Sequence, residues 1–322
     1  MPDIFIDTMG YSFTLALCKF FFPKIPTGAY VHYPTISTDM LDSLDADTDK
    51  GLNTGAGKGF RGTVKRNYWK LFAWMYSWIG GNIDVVMTNS SWTQAHIQSL
   101  WGPNRRKRQK SSDVEVVYPP CAVEEIEQAV QVTKASEAQR KRTLVYIAQF
   151  RPEKKHEKVI NAFSKMLRSR SAEATEGAKL LLIGSVREDD KKRVVQLKTL
   201  PKELHIENSV EFMLNAKWPV VLQCLQQCSV GVNVMWNEHF GIGVVEYQAA
   251  GLISIVDDSG GPKADIVVDY NGGPTGMRLV FMIRLLSPSR PNGLYSLTES
   301  ITYGHFRLQK IFNDNLLTLI NQ

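Results

Sequence analysis

The residues best suited to chemistry in this sequence are two glutamates, Glu238 and Glu246, in the stretch Asn237 to Gly251, NEHFGIGVVEYQAAG. His239, Gly241 and Gly243 lie between them. The glycines predict a loop that tightens and runs into a helix beginning near Ile242. The first amides of such a helix have no partner within it, which makes its N-terminus an anion site. Val244, Val245, Gln248 and Ala249 continue the helix, and Ala249, Ala250 and Gly251 allow close packing and a stop. An anion at this point has one carboxylate before it and one a turn inside. That chemistry suits a sugar nucleotide, with its diphosphate on the amides and its hydroxyls on the carboxylates.

Glu238 and Glu246, with seven residues between them, match the E-x7-E signature of retaining glycosyltransferases of the GT-B fold. Further segments sharpen the match: YVHYPTISTDM at Tyr30 to Met40, NSSWT at Asn89 to Thr93, VYPPC at Val117 to Cys121, QFRPEK at Gln149 to Lys154 and SGGPKADIV at Ser259 to Val267. Together they resemble the GDP-mannose-dependent α-1,2-mannosyltransferases of asparagine-linked glycosylation, over roughly Pro2 to Gly276. The resemblance implies an α/β chain with two Rossmann-like domains, their parallel sheets facing each other across a cleft. It implies GDP-mannose as donor and a dolichol-linked oligosaccharide as acceptor, at the cytosolic face of the endoplasmic reticulum membrane beside other mannosyltransferases of the pathway. It assigns Glu246 to the nucleotide ribose, Glu238 to the hydroxyls of the transferred sugar, and Arg151 and Lys154 to the diphosphate. Gly241 and Ile242 complete the donor site. Ala148 stands where many relatives have glycine.

The positions of these residues in the chain agree with that assignment. Arg151 and Lys154 follow the strand Leu144 to Gln149, at the end of a parallel sheet where ligands bind. Fixed cations there stabilise charge building on a leaving diphosphate. The plainer alternative is a solvated RPEKKHEK loop. For Glu246 it is a carboxylate that complements the helix dipole, with a small effect on stability and none on turnover. His32 stands at the C-terminal end of the strand Thr27 to His32, and Tyr33, Pro34 and Ser37 continue the family pattern, so His32 is expected in the cleft and, with Glu238, among the catalytic residues. No Asp-x-Asp pair stands in a convincing context, since Asp45-Ala46-Asp47 falls in a polar, glycine-rich stretch from Asp42 to Gly62 that reads as a mobile loop. Catalysis is therefore expected without a bound metal or cofactor.

Alternation of strand and helix predicts two parallel sheets. The first domain is expected over 1–125 on the acceptor side, a charged linker over 126–142, and the donor domain over 143–322. The family carries an N-terminal anchor and a glycine-rich loop before the segment matching Pro2, so the first domain is expected to be incomplete. From Met277 onward the tail loses the family pattern, with a helix expected over Leu297 to Phe312. A catalytically inactive remnant that binds a nucleotide or a partner enzyme is the competing reading. A nicotinamide-dependent oxidoreductase has the right fold class but lacks G-x-G-x-x-G after the first strand.

Lys+Arg 38 against Asp+Glu 32 gives +6. The run Arg105, Arg106, Lys107, Arg108 and Lys110 supplies most of it and reads either as a solvated loop or as a contact for anionic lipid headgroups or a lipid diphosphate. No aromatic nucleic-acid platform accompanies it, which argues against nucleic acid as a partner. Trp69 to Ile79, WKLFAWMYSWI, fits a core helix and a membrane interface equally well. Four cysteines form neither a disulfide framework nor a zinc cluster and suit a reducing compartment.

Overall fold

The computed structural model describes residues 2–9, 12–36, 59–111, 113–270 and 273–279. Ser37, the Asp45-Ala46-Asp47 triplet and the tail beyond Leu279, with the helix expected over Leu297 to Phe312, lie outside them. So does residues 42–58 of the stretch read as a loop, while its last four residues open a helix. The chain forms two compact units, Met1–Pro119 and Pro120–Gln322.

In the first unit, β1 (Phe5–Asp7), α1 (Ser12–Phe21), β2 (Thr27–Val31), α2 (Gly59–Gly80), β3 (Val85–Thr88), α3 (Ser91–Lys107) and β4 (Glu115–Val116) follow in order. The four strands are parallel and adjacent in sequence order. Among the described residues β1 pairs on one side only, with β2. The core is formed by Leu15, Val31, Tyr76, Ile83, Val86, Ile97 and Trp101. Ser90 caps α3 by accepting the Thr93 amide at 3.1 Å, satisfying a first-turn donor.

The basic run is only partly a loop, with Arg108 and Lys110 just after the end of a helix. Arg105, Arg106 and Lys107 form the last turn of α3, where cations complement the helix dipole. Arg105 is buried and donates to the Ile83 carbonyl at 2.5 Å, the Ser111 carbonyl at 2.8 Å and the Asp84 carbonyl at 3.2 Å. Lys110 and Lys19 close on the Asp84 carboxylate at 2.5 and 2.6 Å. Burial alone would raise the Asp84 pKa, but these two ammonium groups and the Thr27 amide hold it well below the carboxylate range.

The second unit opens with α4 (Val123–Ala129) and α5 (Lys134–Ala138) and continues through β5 (Thr143–Ile147), α6 (His156–Ser169), α7 (Ala172–Thr175), β6 (Lys179–Gly184), α8 (Lys191–Glu203) and β7 (Val210–Leu214). Then come α9 (Trp218–Gln227), β8 (Val230–Asn233), α10 (Ile242–Ala249), β9 (Ile253–Asp257), a small hairpin of β10 (Asp269–Tyr270) and β11 (Gly273–Pro274), and β12 (Met277–Leu279). Six parallel strands run in the order β12-β9-β8-β5-β6-β7. The unbroken apolar run of β6, KLLLIG, is what a strand covered on both faces requires. On α6, Val159, Ile160 and Phe163 recur at helical spacing and are buried against the sheet.

The division between units falls at Pro119 and Pro120, so residues 126–142, expected as a linker, belong to the second unit. Their charge hides two anchors: Ile126 and Val130 are buried, as is Val123 just before them, with α4 packed on α10. Arg140 completes the attachment. It donates to the carbonyls of Leu225 at 2.8 Å, Cys228 at 2.7 Å and Ala250 at 2.6 Å, and pairs with Glu137 at 2.6 Å. Arg140→Met should cost about 2 to 4 kcal/mol in a denaturant melt of the second unit, because it strands these buried carbonyls and the Glu137 charge. A melt shifted by less than the scatter between replicates would contradict this account.

Candidate functional site

The sheet order reverses between β8 and β5, the switch point where open α/β sheets bind ligands beyond the strand ends. Every donor-side residue expected from the sequence lies on the loops and helix that leave this point. β5 and β8 pair only at Leu144 with Val230 and Val145 with Gly231. Beyond that the ladder gives way to Tyr247, whose buried phenol reaches into the gap. Its Oη accepts the Ile147 amide at 2.7 Å and donates to the Val232 carbonyl at 3.4 Å. Gly231 provides the space, since a Cβ there would lie 2.2 Å from the Tyr247 ring. Burial pushes the phenol well above its ordinary pKa, so it stays a donor.

The helix read from the glycine spacing is α10. Gly241 caps it at φ 107°, a conformation open to glycine, and a side chain there would also meet Pro262 at 2.9 Å. The Ile242 and Gly243 amides occupy the first turn, where the helix itself supplies no acceptor. Gly243 sits against the end of β5, its Cβ position 3.7 Å from the Ile147 carbonyl. The helix N-terminus thus abuts the start of the loop that carries Arg151 and Lys154.

That loop is anchored, in contrast to the solvated alternative. Phe150 and His156 are buried and stack at 4.6 Å, Tyr146 Oη donates to the Lys154 carbonyl at 2.7 Å, and Pro152–Lys154 form a 3-10 turn. Burial, aided by the Arg193 charge, pushes the His156 pKa down to about 4, which keeps the ring neutral. The Ala148 methyl packs against the domain core, and Gly184 leaves room for the Ala148 carbonyl, 1.9 Å from where a Cβ would stand.

Lys154 Nζ donates to Glu238 Oε2 at 2.6 Å, and Asn233 Nδ2 approaches the same oxygen at 3.4 Å. The structure therefore joins a residue expected on the diphosphate to one expected on the sugar. Arg151 is half-buried, with its guanidinium 3.6 Å from Glu153. Glu246 is largely buried on α10, and burial pushes its pKa up to about 7. The Cys121 thiol lies within reach of that charge; burial first and Glu246 second raise its pKa to about 11.

A second loop shapes the Glu238 backbone. Ser259 Oγ accepts the Asn237 amide at 2.8 Å and donates to Asp257 at 2.5 Å, while the Gly261 amide donates to the Glu238 carbonyl at 2.7 Å. Gly260, at φ 67°, passes so close that a Cβ would stand 2.3 Å from that carbonyl. These contacts explain SGGP as a template for the loop, a role no spacing rule conveys. Asn233 and Tyr247 were likewise missed as site residues, because each reads as an ordinary strand or helix residue.

His32 belongs to the first unit. It follows β2 and is exposed, its ring edge-on to Tyr30 at 4.6 Å, and Tyr30 Oη donates to the Val117 carbonyl at 2.8 Å.

Residues 1–101 match the family described as ALG11 mannosyltransferase N-terminus, and residues 128–277 match Glycosyl transferases group 1. A GDP-Man:Man(3)GlcNAc(2)-PP-Dol alpha-1,2-mannosyltransferase of Neurospora crassa is 58% identical over 287 residues, covering 86% of this chain and 51% of the relative. The protein of the same name from Homo sapiens is 43% identical over 281 residues, covering 86% and 55%. The chain thus spans about half the length of these relatives. Among solved structures, Anabaena Alr3699/HepE in complex with UDP and glucose superposes with a TM-score of 0.61 at 13% identity, over 99% of this chain and 76% of that one. A UDP-forming trehalose-phosphate synthase from Burkholderia xenovorans gives 0.55 at 13% identity, over 95% and 71%. At these identities the likeness is one of fold, the GT-B class.

Proposed function

The chain belongs to the group 1 glycosyltransferases and carries an ALG11-type N-terminus, and from this premise we propose that it moves mannose from GDP-mannose onto a dolichol-diphosphate-linked oligosaccharide. The linkage formed is α-1,2 with retention, at the cytosolic face of the endoplasmic reticulum membrane and beside other mannosyltransferases of the pathway. The names of the relatives support this reading of donor, acceptor and linkage.

The observation that carries it is the convergence, at one switch point, of the α10 N-terminus, the Lys154–Glu238 pair and a largely buried Glu246. In this reading the Ile242 and Gly243 amides, Arg151 and Lys154 receive the diphosphate. Lys154 then sits between Glu238, which orients the sugar hydroxyls, and the phosphate. As the bond from the anomeric carbon to the diphosphate oxygen breaks, the electron pair leaves with GDP, and these fixed charges stabilise it. The acceptor hydroxyl oxygen bonds to the same carbon from the face the diphosphate leaves, and its proton passes to the departing diphosphate oxygen, which has taken up the electron pair. The positive charge needed by the leaving group comes from side chains and amides, so the reading includes turnover without a bound metal.

Calorimetry of GDP and GDP-mannose with the full chain in EDTA, followed by transfer to a dolichol-linked acceptor, tests the proposal. Micromolar binding is expected, weakened tenfold or more in Lys154→Ala, which loses a charge-assisted contact of roughly 1.5 to 3 kcal/mol. A folded wild-type chain that ignores GDP-mannose would sink the donor-site reading. Binding without transfer would favour the nucleotide-binding remnant.

A further inference from the structure

We propose that the first unit docks on an anionic lipid bilayer through the outer face of α2 and the basic end of α3. Helix α2 is apolar on two sides. Trp69, Phe72, Ala73 and Tyr76 turn inward to the core, yet Val64, Tyr68, Leu71, Met75 and Trp78 form a second stripe spaced 4, 3, 4 and 3 residues apart. Those five side chains are between 40% and 59% exposed, and Trp74 beside them is 64% exposed. An apolar stripe of this length is not left in water without use. Leu17, Phe20 and Phe21 of α1, which packs on α2, are exposed as well.

Charge identifies the occupant. Helices α1, α2 and α3 together hold eight Lys or Arg and no Asp or Glu, although the chain as a whole carries 32 acidic residues; Arg105 is buried and Lys19 is paired with Asp84, while Lys70, Arg106 and Lys107 are exposed. Helix α3 places its basic end beside the aromatic end of α2. Asn104 donates to Ser77 Oγ at 2.8 Å, and the Arg108 guanidinium lies 5.1 Å from the Trp78 ring centroid and donates to the Trp78 carbonyl at 2.7 Å. Arg106 and Lys107 at that end are exposed. Trp and Tyr favour the zone between lipid tails and water, and neighbouring cations draw such a face onto anionic headgroups. A second copy of the chain is disfavoured, because a self-complementary contact would bring the exposed Lys70, Arg106 and Lys107 of one copy towards those of the other. Among the described residues no helix is long and apolar enough to cross a membrane, so the contact is one of a helix lying on the surface. The assignment deepens the membrane location proposed above, but it stands on this pattern and not on the donor site.

The test is flotation of the full chain with vesicles of phosphatidylcholine alone and with vesicles in which a third of the lipid is phosphatidylserine. The wild type should float with the anionic vesicles and at least tenfold less with the neutral ones. Leu71→Glu with Trp74→Glu should abolish flotation. Arg106→Gln with Lys107→Gln should weaken it by about tenfold or more at low salt. Val195→Glu removes an apolar residue 65% exposed on the other unit and should float like the wild type. Unchanged circular dichroism melts and retained GDP binding in the α2 variant keep loss of lipid contact distinct from misfolding or a failed donor site. Wild-type protein that ignores anionic vesicles, or an α2 double variant that floats equally well, overturns the proposal. Self-association without lipid that the α2 variant abolishes, in a chain that ignores vesicles, would assign the face to a second copy instead.

Discussion

Glu246→Gln is expected to stabilise the free protein above about pH 7 while weakening donor binding at least tenfold. The two effects have one cause. Burial lifts the Glu246 pKa from 4.5 to about 7, so the fold favours the neutral acid. A group raised in this way contributes most below its unfolded pKa, and that contribution is lost as pH rises through the folded value. The wild type therefore carries a burial penalty on the order of 3 kcal/mol once the carboxylate is ionised. Glutamine never ionises, so the difference in melting temperature between variant and wild type should be small near pH 4.5 and grow in the variant's favour towards pH 7. Ribose hydroxyls are good partners for the carboxylate, and a lost charge-assisted bond costs roughly 1.5 to 3 kcal/mol. Donor binding should accordingly tighten as pH rises through about 7 in the wild type, with proton release, and be flat in the variant. Calorimetry in two buffers of different ionisation enthalpy reads the proton directly. If Glu246 only complemented the helix dipole, the variant would lose a little stability where a gain is expected, and would bind donor and turn over normally.

Tyr247 should show the second large effect. In Tyr247→Phe the ring keeps its place against Gly231, but the Ile147 amide and Val232 carbonyl lose the hydroxyl that bridges them. The cost is about 1 to 3 kcal/mol in stability. Because Ile147 and Val232 lie at or beside the ends of the strands β5 and β8 that lead into the loops holding Lys154 and Glu238, the variant should also bind GDP-mannose more weakly, with KM raised more than kcat is lowered. Tyr247→Ala empties the space and should cost about 3 to 5 kcal/mol. Faster hydrogen exchange at the Ile147 amide in the phenylalanine variant, beside intact exchange in β6, would tie the loss to the bridge. Unaltered KM and exchange in Tyr247→Phe would reduce Tyr247 to packing.

Much of the architecture could be read from local pattern. The runs LVYIAQ, KLLLIG and ISIV declared buried parallel strands, and GIG ahead of VVEYQAA declared a helix with an open N-terminus. These signals are short in range, so they survive without knowledge of the fold. The stretch 126–142 misled for the same reason: its charges are numerous and several are exposed, while Ile126, Val130 and Arg140 act on elements about a hundred residues away. The basic run misled similarly, since a sequence cannot say that Arg105 is buried among carbonyls of Ile83 and Asp84 while Arg106 faces water.

By itself, then, the sequence determined two parallel α/β units, the glycine-capped helix and a set of residue types whose chemistry suits a sugar nucleotide, because backbone conformation and strand burial are set by neighbours in the chain. Only the tertiary structure decided that Lys154 pairs with Glu238, that Glu246 is buried deeply enough to titrate near neutrality, and that a tyrosine hydroxyl holds the switch point apart. Each of these depends on distance and desolvation between elements remote in sequence, and desolvation is a property of the packed neighbourhood, not of any one residue.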